Sequence, residues 1–204
     1  MAAHVELLVE EPSMEAFLRT LLPRLLPQDK TFEVHAFQGK SDLLGKLADR
    51  LRGYAKWLPD DCRIVVVVDR DDDYCMQLKQ RLEAIAGQAG LRTRARAGRA
   101  PWQLVNRIAI EELEAWYFGD WPAVKAVFPR VSANVPNQQK YRDPDGIAGG
   151  TWEAFERVLQ QHGYFKQGLR KIEAARALGG LIDAQRCRSP SFRHFQQAIL
   201  EAVS

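Results

Sequence analysis

The sequence predicts an α/β fold: a parallel sheet of about four strands flanked by helices, followed by an α-helical C-terminal extension. Three observations carry this expectation. Ile64-Val-Val-Val-Val68 is a short, continuous β-branched run, the pattern of a strand buried on both faces. Strand-like and helix-like segments alternate up to Phe118, the βαβ order that gives parallel sheets with helices on both faces. From Asp120 onward no strand pattern survives.

The elements follow in order. His4–Val9 reads as an apolar strand that runs into Glu10 and Glu11. Pro12 and Ser13 then signal a helix start, and the helix covers about 13–26, with Glu15 in its first turn where a negative charge suits the dipole. A second strand lies near Phe32–Phe37. Leucines at 43, 44, 47 and 51 mark a helical stripe over 41–52. The valine strand ends in Asp69-Arg-Asp-Asp-Asp73, and Leu78, Leu82, Ile85 and Ala86 mark a helix that stops around Gly87 or Gly90. The fourth strand, in the region Leu104–Ile110, leads into Glu111–Phe118, where Glu111 and Glu114 would share a helical face. Residues 129–150, with Pro129, Pro136 and Pro144, read as a long loop. Helices are expected over 152–159 and 169–178. Ser189-Pro190 gives an N-cap and a first-turn proline for a last helix with Phe192, Phe195 and Ile199 inward. This divides the chain into an α/β domain over 1–120 and a helical extension over 121–204 packed on it.

Composition narrows the class. A chain of 204 residues with 46% hydrophobic and 27% charged residues can bury a core of its own. Its formal net charge of +3 is compatible with nucleic acid and not diagnostic of it. Cys62, Cys75 and Cys187 are widely spaced, which points to a reducing cytoplasm and away from a disulfide framework or a thiolate zinc site. No apolar run is long enough to span a membrane, and the first strand begins too early for a signal peptide.

The acidic strand ends carry the chemistry. In an extended segment Asp69 and Asp71 would point the same way. Like charges held together call for a cation or a proton, and Mg²⁺ or Mn²⁺ is the natural occupant of such a carboxylate set. Glu10, Asp69 and Asp71, with Glu114 from the third acidic junction, look like one site; Glu15, Asp73 and Glu111 lie close to it in sequence. The strand ends are also where open α/β sheets place their ligands. Gly39-Lys40-Ser41 superficially suggests a phosphate-binding loop. The glycine such a loop needs five positions earlier is Val34, so ATP binding is not expected, although Lys40 could meet a phosphate at a helix N-terminus.

Glu10 at the end of the first strand, with Asp69-x-Asp71 at the end of the third, resembles the Toprim domain of topoisomerases, primases and overcoming-lysogenization-defect nucleases. More closely, Leu8-Val-Glu-Glu-Pro-Ser-Met-Glu-Ala-Phe-Leu18, Val68-Asp-Arg-Asp-Asp-Asp73, Ile110-Glu-Glu-Leu-Glu-Ala-Trp116 and Ser189-Pro-Ser-Phe-Arg193 together resemble the DUF4276 family of Toprim-like bacterial proteins, over nearly the whole chain. The resemblance implies a Toprim-like, Rossmann-like sheet and kinship with defence proteins that work beside ATPases. It implies that Glu10 takes part in acid/base or metal chemistry and that Asp69 and Asp71 bind the divalent ion. It also implies that Glu114, two residues before Trp116, joins them. Lys166, in Tyr164-Phe-Lys166, would stabilise a transferring phosphate. Glu11 stands where Toprim domains commonly have glycine, and Met14 stands where nuclease members tend to carry a second glutamate, with Glu15 one step further on.

Arg92, Arg94 and Arg96 recur at period two, so an extended segment would present them on one face as a phosphate-contacting strip. Trp116, Tyr117 and Phe118 are expected in the core. The functional expectation is a Mg²⁺- or Mn²⁺-dependent nuclease component of a bacterial defence system. Whether one or two ions act, and whether Glu10 is a ligand or the acid/base, stays open. The alternative is a non-catalytic metal-binding subunit that docks an ATPase.

Overall fold

The computed structural model describes residues 3–204. Strands β1 (His4–Val9), β2 (Thr31–Ala36), β3 (Cys62–Asp69) and β4 (Leu104–Ala109) form an all-parallel sheet in the order β2-β1-β3-β4. Leu7 pairs with Val34 on one side and Val65 on the other, and Val65 pairs in turn with Val105. Helix α1 (Pro12–Leu25) connects β1 to β2, α2 (Lys40–Ala55) connects β2 to β3, and α3 (Cys75–Gln88) connects β3 to β4. All of these elements lie within a few residues of where the periodicity puts them.

Right-handed crossovers explain which helix covers which face. The chain steps one way from β1 to β2 and the other way from β2 through β3 to β4, so α1 falls on one face and α2 and α3 on the other. The two cores divide accordingly. Val65 and Val67 of β3 pack with Phe17, Leu18 and Leu21 of α1, while Ile64, Val66 and Val68 pack with Leu43, Leu47 and Leu51 of α2 and Leu78 and Leu82 of α3. All five residues of the run are fully buried, each worth about 1.5–3 kcal/mol.

Everything after β4 is helical or irregular: α4 (Glu114–Gly119), α5 (Trp121–Val127), α6 (Thr151–Gln161), α7 (Lys171–Gly179) and α8 (Pro190–Val203). These helices join the core on the α1 face. Residues 129–150 contain three single-turn 3₁₀ segments, and the loop is held down by buried Val135, Tyr141 and Ile147. Tyr141 stacks on Phe118 with ring centroids 4.9 Å apart. The predicted cap at Ser189 is present, its hydroxyl accepting from the Phe192 N–H at 3.2 Å. Trp116, Tyr117 and Phe118 are all buried, as expected. Trp116 stacks on Phe195 at 5.1 Å and donates its indole N–H to Ser191 Oγ at 3.0 Å, which locks α4 against α8.

Helix α7 lies directly on α1. Thr20 Oγ1 donates to Arg176 O at 3.1 Å, and Arg24 donates to the carbonyls of Gly179 and Ile182. Gly179 permits this approach, because a Cβ there would run into Phe17 O and Thr20 Oγ1. Gly179→Ala should therefore destabilise the protein by about 1–3 kcal/mol, even though alanine is the better helix former. Gly45→Ala, exposed in α2 with open space around it, should stabilise by up to about 1 kcal/mol. Urea denaturation of both variants checks the pair; a stabilised Gly179→Ala would contradict the packing.

Candidate functional site

The sheet has a topological switch point. Because the chain leaves β1 toward β2 and β3 toward β4, no connection covers the crevice between the carboxyl ends of β1 and β3. Glu10 follows β1 and Asp69 ends β3, so the order of the strands brings these two acids together. The Asp69 N–H donates to Glu10 Oε2 at 3.1 Å. By the alternation of β3, Asp69 falls on the same face as Val65 and Val67, toward α1 and the C-terminal helices. It is 5% exposed, and its Oδ1 has no hydrogen-bond partner.

Glu114 enters from the third junction, at the first residue of α4. It is 1% exposed, and its Oε2 is also unpartnered. The Tyr117 hydroxyl, one helical turn later, is a third buried polar group without a partner. Burial, followed by the charges of Glu114, Glu11 and Asp69, pushes the Tyr117 phenol well above its usual range. Glu114 itself is pushed up to about 8, chiefly by burial, with Lys171 opposing and Glu112 and Glu11 adding to the rise. Asp69 is raised well above the carboxylate range by burial and by Glu10, Glu11, Glu114 and Asp71. Glu10 is pushed up to about 7 by burial and by Asp71, against the Asp69 N–H and Lys40.

Two lysines balance this charge, and neither stood among the sequence-based site residues. Lys171 opens α7 and is carried to the crevice by the packing of α7 on α1. Burial works to lower its pKa, but Glu114, Glu11, Glu112 and Asp69 outweigh it and hold the ammonium charged. Lys171 makes no ion pair at contact distance among the described residues; its Nζ lies 4.9 Å from the centroid of the Trp152 ring. Lys40, at the start of α2, pairs with Asp71 and Asp73, each at 2.8 Å, and donates to Arg70 O at 2.9 Å. The sequence signal for Lys40 was its place after Gly39 at a helix start. Lys171 carried no signal, since its position depends on the docking of α7.

The remaining predicted residues sort by local geometry. Asp71 does not continue the extended strand: it has φ +46°, and its N–H bonds Glu111 O at 2.9 Å. Glu111 has φ +60° and precedes α4, so it does not share a helical face with Glu114; its carboxylate pairs with Arg70. Two left-handed non-glycine residues thus sit side by side where β3 and β4 end, a conformation that costs about 1–3 kcal/mol each and clusters at functional sites. Glu15 is taken by Arg19 at 2.8 Å, and Arg19 also pairs with Glu33. Lys166 is exposed in the turn after α6. Arg92, Arg94 and Arg96 do not lie on one strand face. Thr93 alone bridges to Leu104, and residues 94–96 turn away, with Arg94 paired to Glu201. Glu112 is occupied structurally, accepting from Thr151 Oγ1 at 3.0 Å and Trp152 N at 2.8 Å at the start of α6.

The donor chemistry fits a hard divalent cation: carboxylate oxygens only, with Asp69 Oδ1 and Glu114 Oε2 unpartnered. Among the described residues no three His, Cys, Asp or Glu side chains already converge as a ligand set. Like-charged carboxylates stand apart unless a cation or a proton draws them together.

The family model described as "Domain of unknown function (DUF4276)" matches residues 9–200. The chain belongs to the DUF4276 family. The match runs from the end of β1 into α8, so this DUF4276 domain takes in β2, β3 and β4 and the helices that complete the crevice. No curated protein and no solved structure matches the chain. Among the described residues no helix is long and apolar enough to cross a membrane.

The raised acids make a signed prediction. A carboxyl whose folded pKa lies above its ordinary value of 4.5 favours the fold when protonated. That stability is full below about pH 4.5 and is lost as pH rises through about 7 for Glu10 and 8 for Glu114. In metal-free buffer, Tm should therefore fall by several degrees between mildly acidic and mildly alkaline pH, and Glu114→Gln should flatten the fall. Parallel Tm profiles for the two proteins would refute the raised pKa of Glu114.

Proposed function

We propose that this protein is a divalent-metal-dependent phosphodiester-cleaving enzyme, a Toprim-like nuclease component of a bacterial defence system that works in the cytoplasm. One observation supports this reading above the others. Glu10 and Asp69 at two strand ends and Glu114 at the start of α4 are all buried, Asp69 feels the charge of both glutamates, two of their oxygens are unpartnered, and Lys40 acts on Glu10 as Lys171 does on Glu114.

Asp69 and Glu114 would hold the cation, with Glu10 and Asp71 within the same charge cluster. A bound Mg²⁺ or Mn²⁺ would neutralise charge on the phosphate and polarise its P–O bonds. Glu10 suits proton transfer, because an acid near pH 7 exists in both forms at the working pH and can take a proton from an attacking water. Lys171, charged and free of a contact ion pair among the described residues, is placed to meet a phosphate oxygen that gains negative charge. Lys40 holds the Asp71–Asp73 loop against the start of α2. Helix α4, tied to α8 by the Trp116–Ser191 bond, carries the buried Glu114 at its first residue.

A second reading is favoured by the Lys40 contacts. An ammonium held between Asp71 and Asp73 already supplies part of the cation the cluster needs. On that reading the crevice binds metal without cleavage, and the protein is a regulatory subunit that docks an ATPase.

Two measurements test the proposal. Mn²⁺ should raise Tm in the wild type and not in Asp69→Asn, because a ligand that binds only the native state stabilises it by mass action. Purified protein should nick plasmid or cut single-stranded nucleic acid with Mn²⁺, and Glu10→Gln should cut about 10²–10⁴-fold more slowly. A Tm shift without cleavage, with wild type and Glu10→Gln indistinguishable even beside an ATPase partner, would establish the second reading instead.

A further inference from the structure

A second feature lies beside the crevice on the outer edge of β4. A cleft of about 580 Å³, within the range of ligand-binding pockets, opens between α3 and α8. Lys79 comes from α3, Arg94 from the turn that follows it, Arg107 from β4 and His194 from α8. Chain connectivity ties the cleft to the acidic loop. Cys75, which lines it, is two residues after Asp73, and Ile110, on the same wall, directly precedes Glu111.

The charge in this cleft is under-compensated. Arg107 is half-buried, and its guanidinium donates only to the carbonyls of His194 and Asn106, each at 2.9 Å; it pairs with no carboxylate among the described residues. Lys79 is likewise without an ion pair among them. Asp145 also lines the cleft, but its two oxygens are spent on Ser189 Oγ at 2.6 Å and Ser191 N at 2.7 Å. Glu201 is spent on Arg94 and Gln197. Glu201 and Glu83 act on Arg107 without contact and do not outweigh its burial and the charge of Arg94, so an anion from outside would be favourable there. Asn106 also lines the cleft: it is 5% exposed, its Nδ2 donates to Glu83 at 2.8 Å, and its Oδ1 has no partner. Tyr74, between Asp73 of the acidic loop and Cys75 of the cleft lining in the chain, is 70% exposed.

We propose that this cleft is the channel for one strand of nucleic acid, with Lys79, Arg94 and Arg107 on its phosphates and Tyr74 stacked on a base beside the acidic crevice. A row of cations tracking a backbone, with an exposed aromatic ring beside it, is how proteins hold single strands without reading sequence. Stacking on Tyr74 requires an unpaired base, which sets a single strand apart from a duplex. This inference rests on the proposed hydrolysis for its orientation, because the strand would lead its scissile bond toward Glu10 and Asp69.

Binding is measured in EDTA, where no metal-dependent cleavage occurs, by fluorescence anisotropy of a labelled short single-stranded oligonucleotide over a range of salt. The wild type should bind with a steep salt dependence. Arg107→Gln and Lys79→Gln should each weaken binding by roughly five- to tenfold and flatten the log–log salt slope by about 0.7 per lost contact. Arg107→Lys should recover part of the loss, and Lys56→Gln, exposed at the opposite end of the sheet, should change nothing. Lys79 lies on the surface of α3, so its substitution keeps the inference falsifiable should Arg107→Gln fail to fold. A Lys79→Gln, Tyr74→Ala double variant that binds like wild type would overturn it. So would a wild type that binds no oligonucleotide, or that gains nothing in affinity from a mononucleotide to an oligonucleotide. Cleavage without any effect of the cleft variants would also refute the channel while leaving the crevice chemistry standing. Loss of binding in those variants from a protein that never cleaves would support the channel and refute the chemistry.

Discussion

Asp69 closes a strand that is buried on both faces, and that burial takes its carboxylate out of reach of water. A valine run can be covered completely only by helices on both sides of the sheet. The covering leaves just the strand ends for polar groups. Asp69 stands at such an end with one oxygen unpartnered, and its N–H is already given to Glu10. A carboxylate so placed must take up a proton or find a cation. The other acids of the crevice sharpen that requirement, since each raises the cost of ionising its neighbours.

The C-terminal helices turn a strand-end cluster into an enclosed site. Helix α4 sets Glu114 and Tyr117 into the crevice wall, and the stacking of Trp116 on Phe195 fixes α4 to the last helix. Helix α7 delivers Lys171, and it can do so only because Gly179 lets it lie against α1. Residues from both ends of the chain therefore determine the electrostatics of one crevice, in keeping with a family match that extends from residue 9 to residue 200.

The fold was largely legible in the sequence because its signals were local and mutually consistent. The valine run, the leucine stripes and the Ser189-Pro190 cap each named an element before any contact was known. Glu10, Asp69 and Glu114 were legible for the same reason, as acids placed where apolar runs stop. The misreadings arose where the backbone departs from regular periodicity. Asp71 and Glu111 were assigned by strand and helix spacing, but both adopt left-handed φ, which redirects the side chains. The arginines at 92, 94 and 96 have the right period in a segment that turns after a single bridge. Lys171 and Tyr117 gain their importance from tertiary packing alone. A lysine at a helix start and a tyrosine in an aromatic run carry no mark of what they will face.

The central claim is that Asp69 and Glu114 form the seat of a divalent cation. An anomalous difference map from a crystal soaked in Mn²⁺ and recorded near the manganese edge tests it directly. The account predicts a peak in the crevice within about 2.0–2.6 Å of carboxylate oxygens, among them Asp69 Oδ1, with Glu114 Oε2 drawn toward the same ion. A map with no peak between the ends of β1 and β3, with Lys171 Nζ instead bonded to Glu114 and Asp69, would contradict it.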